Sequence, residues 1–407
     1  MMTLIQRTWV NAVALIMLLG VVYIAPALAV ERTITAEFRP HAGNPNNNSF
    51  TNTTPCSLPG QANAWCNRPN GSFPVSMALS GITKDFRHGA AEDGVLVRTP
   101  AARTIQVTND ESGDTAELIL EFTDLGYQVR GLPSLYTVTQ GSLDTPDNLG
   151  VNCTKGRLAG ALSTGVSLFL WPIVAAKQAT GAECVKALKP EVVSNPQSFN
   201  SVLIGYKLTS PNPLEMRNGI YRGSQSYTLS PSGDFSFGSG NYSEVLTFNF
   251  ELNVQHDFSI RQPPGSENVV LTPPGGWEQW LHRGTAPPSL QRDSQFFITS
   301  SSPLTLSMHC EHLEGLTCGL QSKLDDSIVP VQVAITVPGM KNAQGQAVEK
   351  LALTSRRPGE RLGVESYIVD QRSTVHFQVD GPEVEQMIRQ PGSRWRGGVT
   401  LIFDAGL

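Results

Sequence analysis

Val399-Thr-Leu-Ile-Phe-Asp-Ala-Gly-Leu407 closes the sequence and decides how the rest is read. Val399, Leu401, Phe403, Ala405 and Leu407 alternate with Thr400, Ile402, Asp404 and Gly406. A period of two belongs to a β-strand with one buried face. The sequence stops on this strand, with a carboxylate on its last apolar residue, so no hairpin partner follows it. Such an edge invites stray pairing unless something covers it. Another polypeptide can do so by adding its own strand to the sheet. The expectation is a subunit made to assemble.

Working backwards, more alternating runs appear. They are Val375/Phe377/Val379, Val331/Val333/Ile335/Val337 and Leu304/Leu306/Met308/Cys310, with Asp325-Asp326, Pro338-Gly339 and Pro391-Gly392 as turns between them. Leu246, Phe248, Phe250, Leu252, Val254, Phe258 and Ile260 read as one long strand interrupted only at His256. Arg261-Gln-Pro-Pro-Gly265 after it reads as a linker. No stretch carries helical periodicity, and short strands at these intervals indicate β-sandwiches. The expected fold is all-β, with an N-terminal domain over residues 30–262 and a C-terminal domain over residues 266–407.

The first residues read as a signal peptide, 1–29: Arg7 is the only charge, an apolar run spans Val10–Ile24, and Ala27-Leu-Ala29 is a cleavage site. The protein is therefore expected to be exported. Loss of Arg7 takes the formal charge of −5 to −6, which argues against nucleic acid as a partner. Charged residues make up only 16%, beside 37 Gly and 28 Pro, a composition of short strands and many turns. The apolar block Leu158–Ala176 approaches the length of a membrane span. Gly160, Gly165 and Pro172 interrupt it, so a buried strand pair or core helix is the preferred reading.

Six cysteines fall into three local pairs, Cys56/Cys66, Cys153/Cys184 and Cys310/Cys318. An even count at close spacing in an exported chain reads as disulfides, and although six cysteines allow 15 connectivities, nearest-neighbour pairing is expected. No spacing is C-x-x-C, so neither structural zinc nor redox chemistry is suggested.

No nucleophile elbow, phosphate loop, dinucleotide fingerprint or paired-histidine zinc motif occurs, so no catalytic residue, metal site or cofactor is expected. His309 and His312 lie three apart, which on a strand points them to opposite faces. Glu111, Asp114, Glu117, Glu121 and Asp124 read as a solvated face. Trp65, in the small Cys56–Cys66 loop and beside Asn67 and Arg68, offers an aromatic face next to polar groups, the composition of a receptor site. Capping of the core is the competing reading for Trp65. Trp277 and Trp280, after the turn Pro273–Gly276, are expected to pack on the end of the second sandwich.

The second domain resembles a pilin domain of the chaperone–usher fimbrial system of Gram-negative bacteria. The resemblance is carried by Leu271-Thr-Pro-Pro-Gly-Gly-Trp-Glu-Gln-Trp280, Ser300-Ser-Ser-Pro-Leu304, His309-Cys-Glu311, Cys318-Gly-Leu320, Val337-Pro-Gly339 and Gly398-Val-Thr-Leu-Ile-Phe-Asp-Ala405. It covers residues 266–407 and suggests the two-domain subunits described as fimbrial adhesins or tip proteins. The resemblance implies two immunoglobulin-like β-sandwich domains, the C-terminal one an incomplete pilin sandwich completed by a donor strand. A periplasmic fimbrial chaperone would lend that strand first. At the outer-membrane usher an adjacent pilin subunit would replace it. Val399, Leu401, Phe403 and Leu407 would border the open groove. Two departures stand out: Phe403 takes the place where many pilins carry tyrosine, and Cys310/Cys318 close a small loop.

The leading expectation is therefore a fimbrial adhesin on the cell surface, not an enzyme, whose N-terminal domain meets a surface receptor, a glycan among the candidates. A non-adhesive minor or structural subunit would instead use Val30–Phe38 as a donor strand for its neighbour. A secreted β-sandwich carbohydrate-active enzyme is the alternative from another class.

Overall fold

A computed structural model describes residues 30–56, 58, 66, 72–156 and 158–406. The signal-peptide reading of residues 1–29 lies outside the described residues.

The first half of the chain folds as thirteen described strands. They are β1 (Val30–Phe38), β2 (Thr51–Asn52), β3 (Phe73–Ala78), β4 (Thr83–Phe86), β5 (Val95–Arg98), β6 (Arg103–Asn109), β7 (Thr115–Arg130), β8 (Leu158–Ser163), β9 (Val166–Pro172), β10 (Glu183–Lys186), β11 (Asn195–Thr209), β12 (Gly219–Leu229) and β13 (Glu244–Val254). Two single helical turns, α1 (Leu135–Val138) and α2 (Ala175–Gln178), sit in the connections. Eleven strands form one sheet along the path β2-β1-β13-β12-β6-β7-β11-β3, and β5 and β10 form a separate ribbon. Its spine is the antiparallel pair β7 and β11, which stays in contact from Ile119↔Thr209 to Arg130↔Ser198. β6 lies beside the first half of β7 and β9 beside the second. The block Leu158–Ala176 is thus a strand hairpin, and Val166–Trp171 is buried.

Alternation dictates what goes inside. Along β13 the buried residues are Leu246, Phe248, Phe250, Leu252 and Val254, every second position. They join an aromatic core in which Phe122 meets Phe235 at 4.8 Å and Phe199 stacks on Phe237 at 4.8 Å. Asp124 departs from expectation: it is fully buried, not solvated. Ser72 and Thr123 hydroxyls donate to its Oδ2. Its side chain lies over Gly205, where a Cβ would fall 2.2 Å from Oδ2, so only glycine fits there.

The second half forms a sandwich from β14 (Phe258–Arg261), β15 (Ser289–Ser300), β16 (Leu304–Cys310), β17 (Leu313–Glu314), β18 (Thr317–Ser322), β19 (Ile328–Thr336), β20 (Met340–Asn342), β21 (Leu351–Ala352), β22 (Glu360–Val364), β23 (Ile368–Asp380), β24 (Trp395–Arg396) and β25 (Val399–Asp404). Two helices, α3 (Glu278–Arg283) and α4 (Gly381–Ile388), complete it. One sheet follows β14-β15-β23-β19-β18-β17, the other β20-β22-β16-β25. Between them lies a core of its own, including Ile298, Leu306, Ile335 and Val379, separate from the core of the first half. The chain is all-β and sandwich-like.

The expected long strand Leu246–Ile260 is in fact two strands in different sheets. β13 ends at Val254, and β14 pairs with β15 through Ile260↔Ile298. The crossing between the two halves is therefore Gln255–Asp257, and Gln262–Gly265 is a turn inside the second sandwich. The break occurs at His256 because that side chain is spent on the junction. Its Nε2 donates to the Met216 carbonyl at 2.8 Å, which fixes Nδ1 as the acceptor from Ser301 Oγ at 3.0 Å. Ser301 Oγ in turn accepts from the Asp257 amide. Tyr367 donates its hydroxyl to Asp257 at 2.8 Å and its amide to the Pro45 carbonyl, while Asn48 reaches the Glu365 carbonyl.

Burial lowers the His256 pKa below the ordinary 6.5, partly opposed by its hydrogen bonds to Met216 and Ser301. The folded chain thus prefers neutral His256 more than the unfolded chain does. Between the folded and unfolded values the unfolded chain binds more protons, so stability is full above about 6.5 and falls as pH drops below it. We expect Tm to decline on acidification below this value in the wild type, and the decline to be smaller in His256→Gln, measured by thermal unfolding across that range.

Candidate functional site

β25 pairs antiparallel with β16 over Thr305↔Asp404 to Cys310↔Val399 and, among the described residues, has no strand on its other side. One side of its backbone is therefore left without ladder partners. Side chains on the core face tell the same story. Leu306 and Met308 of β16 are buried, whereas Phe403 and Leu401, their partners one strand outward, are only half-buried. The core thins towards this edge because nothing closes it.

The opening is a groove of about 380 Å³. Val399, Leu401 and Phe403 form one wall, Ile260 and Val269 the other, and Phe296, Val375 and Phe377 of the opposite sheet lie between them. Phe296 and Phe403 hold their rings 5.6 Å apart. The opposite wall is also an edge: β14 pairs only with β15 among the described residues, and the chain then leaves the sheet through Gln262–Gly265. Gln262, from the segment read as a linker, and Ser266 just beyond it line the groove. Glu267 is the only ionisable side chain among the described lining residues. The groove is otherwise lined mainly by apolar side chains. It offers apolar contact and an unpaired backbone, the two things an extended peptide with alternating apolar side chains needs.

Val399, Leu401 and Phe403 thus share one wall, and Leu407 lies outside the described residues. Trp65, Asn67 and Arg68 also lie outside them. The cysteines are joined as Cys56–Cys66, Cys153–Cys184 and Cys310–Cys318, with Cα–Cα distances of 5.7, 5.9 and 5.1 Å. The last ties the end of β16, where Cys310 faces Val399, to β18 of the other sheet. Trp277 and Trp280 do not pack into the end of the sandwich: α3 buries none of its residues, and Trp277 is 36% exposed. Sequence reading missed Ile260, Val269, Phe296 and Val375 as groove residues. Their alternation was visible for some, but which edge they faced depends on pairing between distant strands.

The other end of the molecule has a different surface. β7 and β11 run from the junction to a pole made by Gly131–Ser134, Gly165 and Val192–Ser194. There Leu132 is 69% and Val193 82% exposed.

No protein-family model and no curated protein matches the chain. Among solved structures it is similar to a chain of the chaperone–tip adhesin complex of CFA/I fimbriae, at 11% identity and TM-score 0.23, covering 93% of this chain and 96% of that one. It is also similar to a chain of the CsuC–CsuE chaperone–tip adhesion subunit pre-assembly complex from the archaic chaperone-usher Csu pili of Acinetobacter baumannii, at 9% identity and TM-score 0.24, covering 93% and 99%.

Truncating an inward side chain of β25 should cost far more than truncating an outward one. Phe403→Ala is expected to lower stability by about 2–3 kcal/mol, somewhat less than a fully buried aromatic, and Ile402→Ser by under about 0.5 kcal/mol. Urea unfolding of both variants checks this.

Proposed function

We propose that the chain is the adhesive tip subunit of a chaperone–usher pilus, held in the fibre by a donor strand laid along β25. The observation that carries this reading is the open edge: a strand with one bare backbone side whose inward residues remain half-buried above an apolar groove. A donor strand would pair with that backbone and set alternate apolar side chains against Phe296 and Val375. Each fully buried aliphatic side chain contributes about 1.5–3 kcal/mol, so a few in register suffice for a long-lived joint. A periplasmic chaperone would supply the strand first and an adjacent subunit afterwards.

Placement at the tip is favoured by β1. Val30–Phe38, the segment that an internal subunit would lend to its neighbour, lies parallel to β13 over its whole length, with Ile34, Ala36 and Phe38 buried in the chain's own core. It is already in use. The first half is then free to serve as the receptor-binding part, and its exposed pole around Leu132 and Val193 is the surface a receptor would reach first. No enzymatic activity belongs to this reading.

The chain from Val30 onwards should accumulate as a soluble one-to-one complex when co-expressed with a chaperone of this class and be largely lost without it. A nine-residue peptide of alternating apolar residues should then stabilise it, by about 2.7 kcal/mol at a hundredfold excess over its Kd. A stable, chaperone-independent monomer whose Tm ignores such peptides would overturn the proposal.

A further inference from the structure

The second sandwich has two poles, and the first half of the chain covers one of them. Asp404 pairs with Thr305 and lies near the junction, whereas Val399 pairs with Cys310 at the far end. The groove therefore runs from the junction towards the far pole, where Glu267, Val269 and Val399 line it. β15 begins at that pole with Ser289, paired to Asp380 at the end of β23. Both helices of the second half belong there: α3 precedes β15 and α4 follows β23.

The two helices behave in opposite ways. α4 closes the core, with Val384 fully buried and Met387 and Ile388 packed against it. α3 buries nothing. Trp277, Trp280 and Leu281, three and four residues apart, fall on one face of a helix. Leu281 is nevertheless 73% exposed. Gly275 and Gly276 enter the helix with φ of 81° and 88°, conformations that only glycine adopts at little cost, and turn it out from the sheet. A Trp277 that is 36% exposed, a half-buried Trp280 and a largely exposed Leu281 on an ordered helix are the make-up of an interface anchor.

We propose that α3 is a second contact for the next subunit of the fibre, the polypeptide whose extension fills the groove, and that Trp277, Trp280 and Leu281 meet that subunit's folded body as it emerges at the far pole. The proposal rests on the groove reading above. Its occupant follows from geometry: with the near pole covered by the chain's own first half, a body attached to a strand in the groove can stand only at the end where α3 projects.

Photo-cross-linking tests this in assembled fibres, with p-benzoylphenylalanine placed at Leu281 or, separately, at Ile402 on β25. Both positions should capture the same neighbouring subunit, identified by mass spectrometry. Capture of that subunit from Ile402 but not from Leu281, or capture of the chaperone alone from Leu281, overturns the proposal while leaving the groove reading intact. Failure at Ile402 removes both. In a second measurement, Trp277→Ser combined with Leu281→Ser should weaken binding of the intact neighbouring subunit at least about tenfold. It should leave the affinity for the alternating nonapeptide unchanged, and equal losses for both ligands would contradict the proposal.

Discussion

A β-strand has hydrogen-bonding groups on two sides, and a sheet satisfies both only where a neighbour lies on each. Among the described residues β25 has one neighbour. The open groove of the second sandwich follows from that shortfall. Leu401 and Phe403 stay half-buried because no strand lies over them, Phe296 and Val375 face a groove, and the wall opposite is a four-residue strand that hands over to an irregular turn. Filling the groove would add a ladder and a core layer together, which is why a short peptide segment could hold a joint between large bodies.

The first half deals with the β2 edge of its sheet in the opposite way. β2, at the end of its sheet, is two residues long, and β1 beside it presents Glu31, Arg32 and Glu37. Short and charged edges discourage pairing. β25 instead presents Thr400, Ile402 and Asp404 on an outward face with a single charge, and its inward row is wholly apolar. One chain thus carries both a protected sheet edge and a receptive one.

Much of this was legible in the sequence. The alternation from Val399 to Asp404 marked the strand and its inward face, and local cysteine spacing marked the disulfide partners. What escaped depended on contacts between residues far apart. His256 looked like a blemish in one long alternating run. It ends one strand and lets the next enter another sheet because Met216 and Ser301, distant in sequence, take both its ring nitrogens. Asp124 looked like one acid of a wet face, yet Ser72 and a glycine on β11 give it a buried seat. The tryptophans of α3 were expected inside because large aromatic residues usually bury. Gly275 and Gly276 flank them, but two adjacent glycines in a turn do not announce which way the following helix points.

The crossing at Gln255–Asp257 has a mechanical consequence. A tether pulling on the groove of the second sandwich while the first half is anchored draws tension through three residues into β13. That strand lies between β1 and β12, paired with β12 along its whole length and with β1 from Leu246 to Val254. Force applied along its axis loads those two ladders in shear, so their bonds must yield together and cannot be peeled one at a time. His256 and Asp257, clamped from both halves, would resist bending before that limit is reached, so that the two halves would carry load as one stiff body.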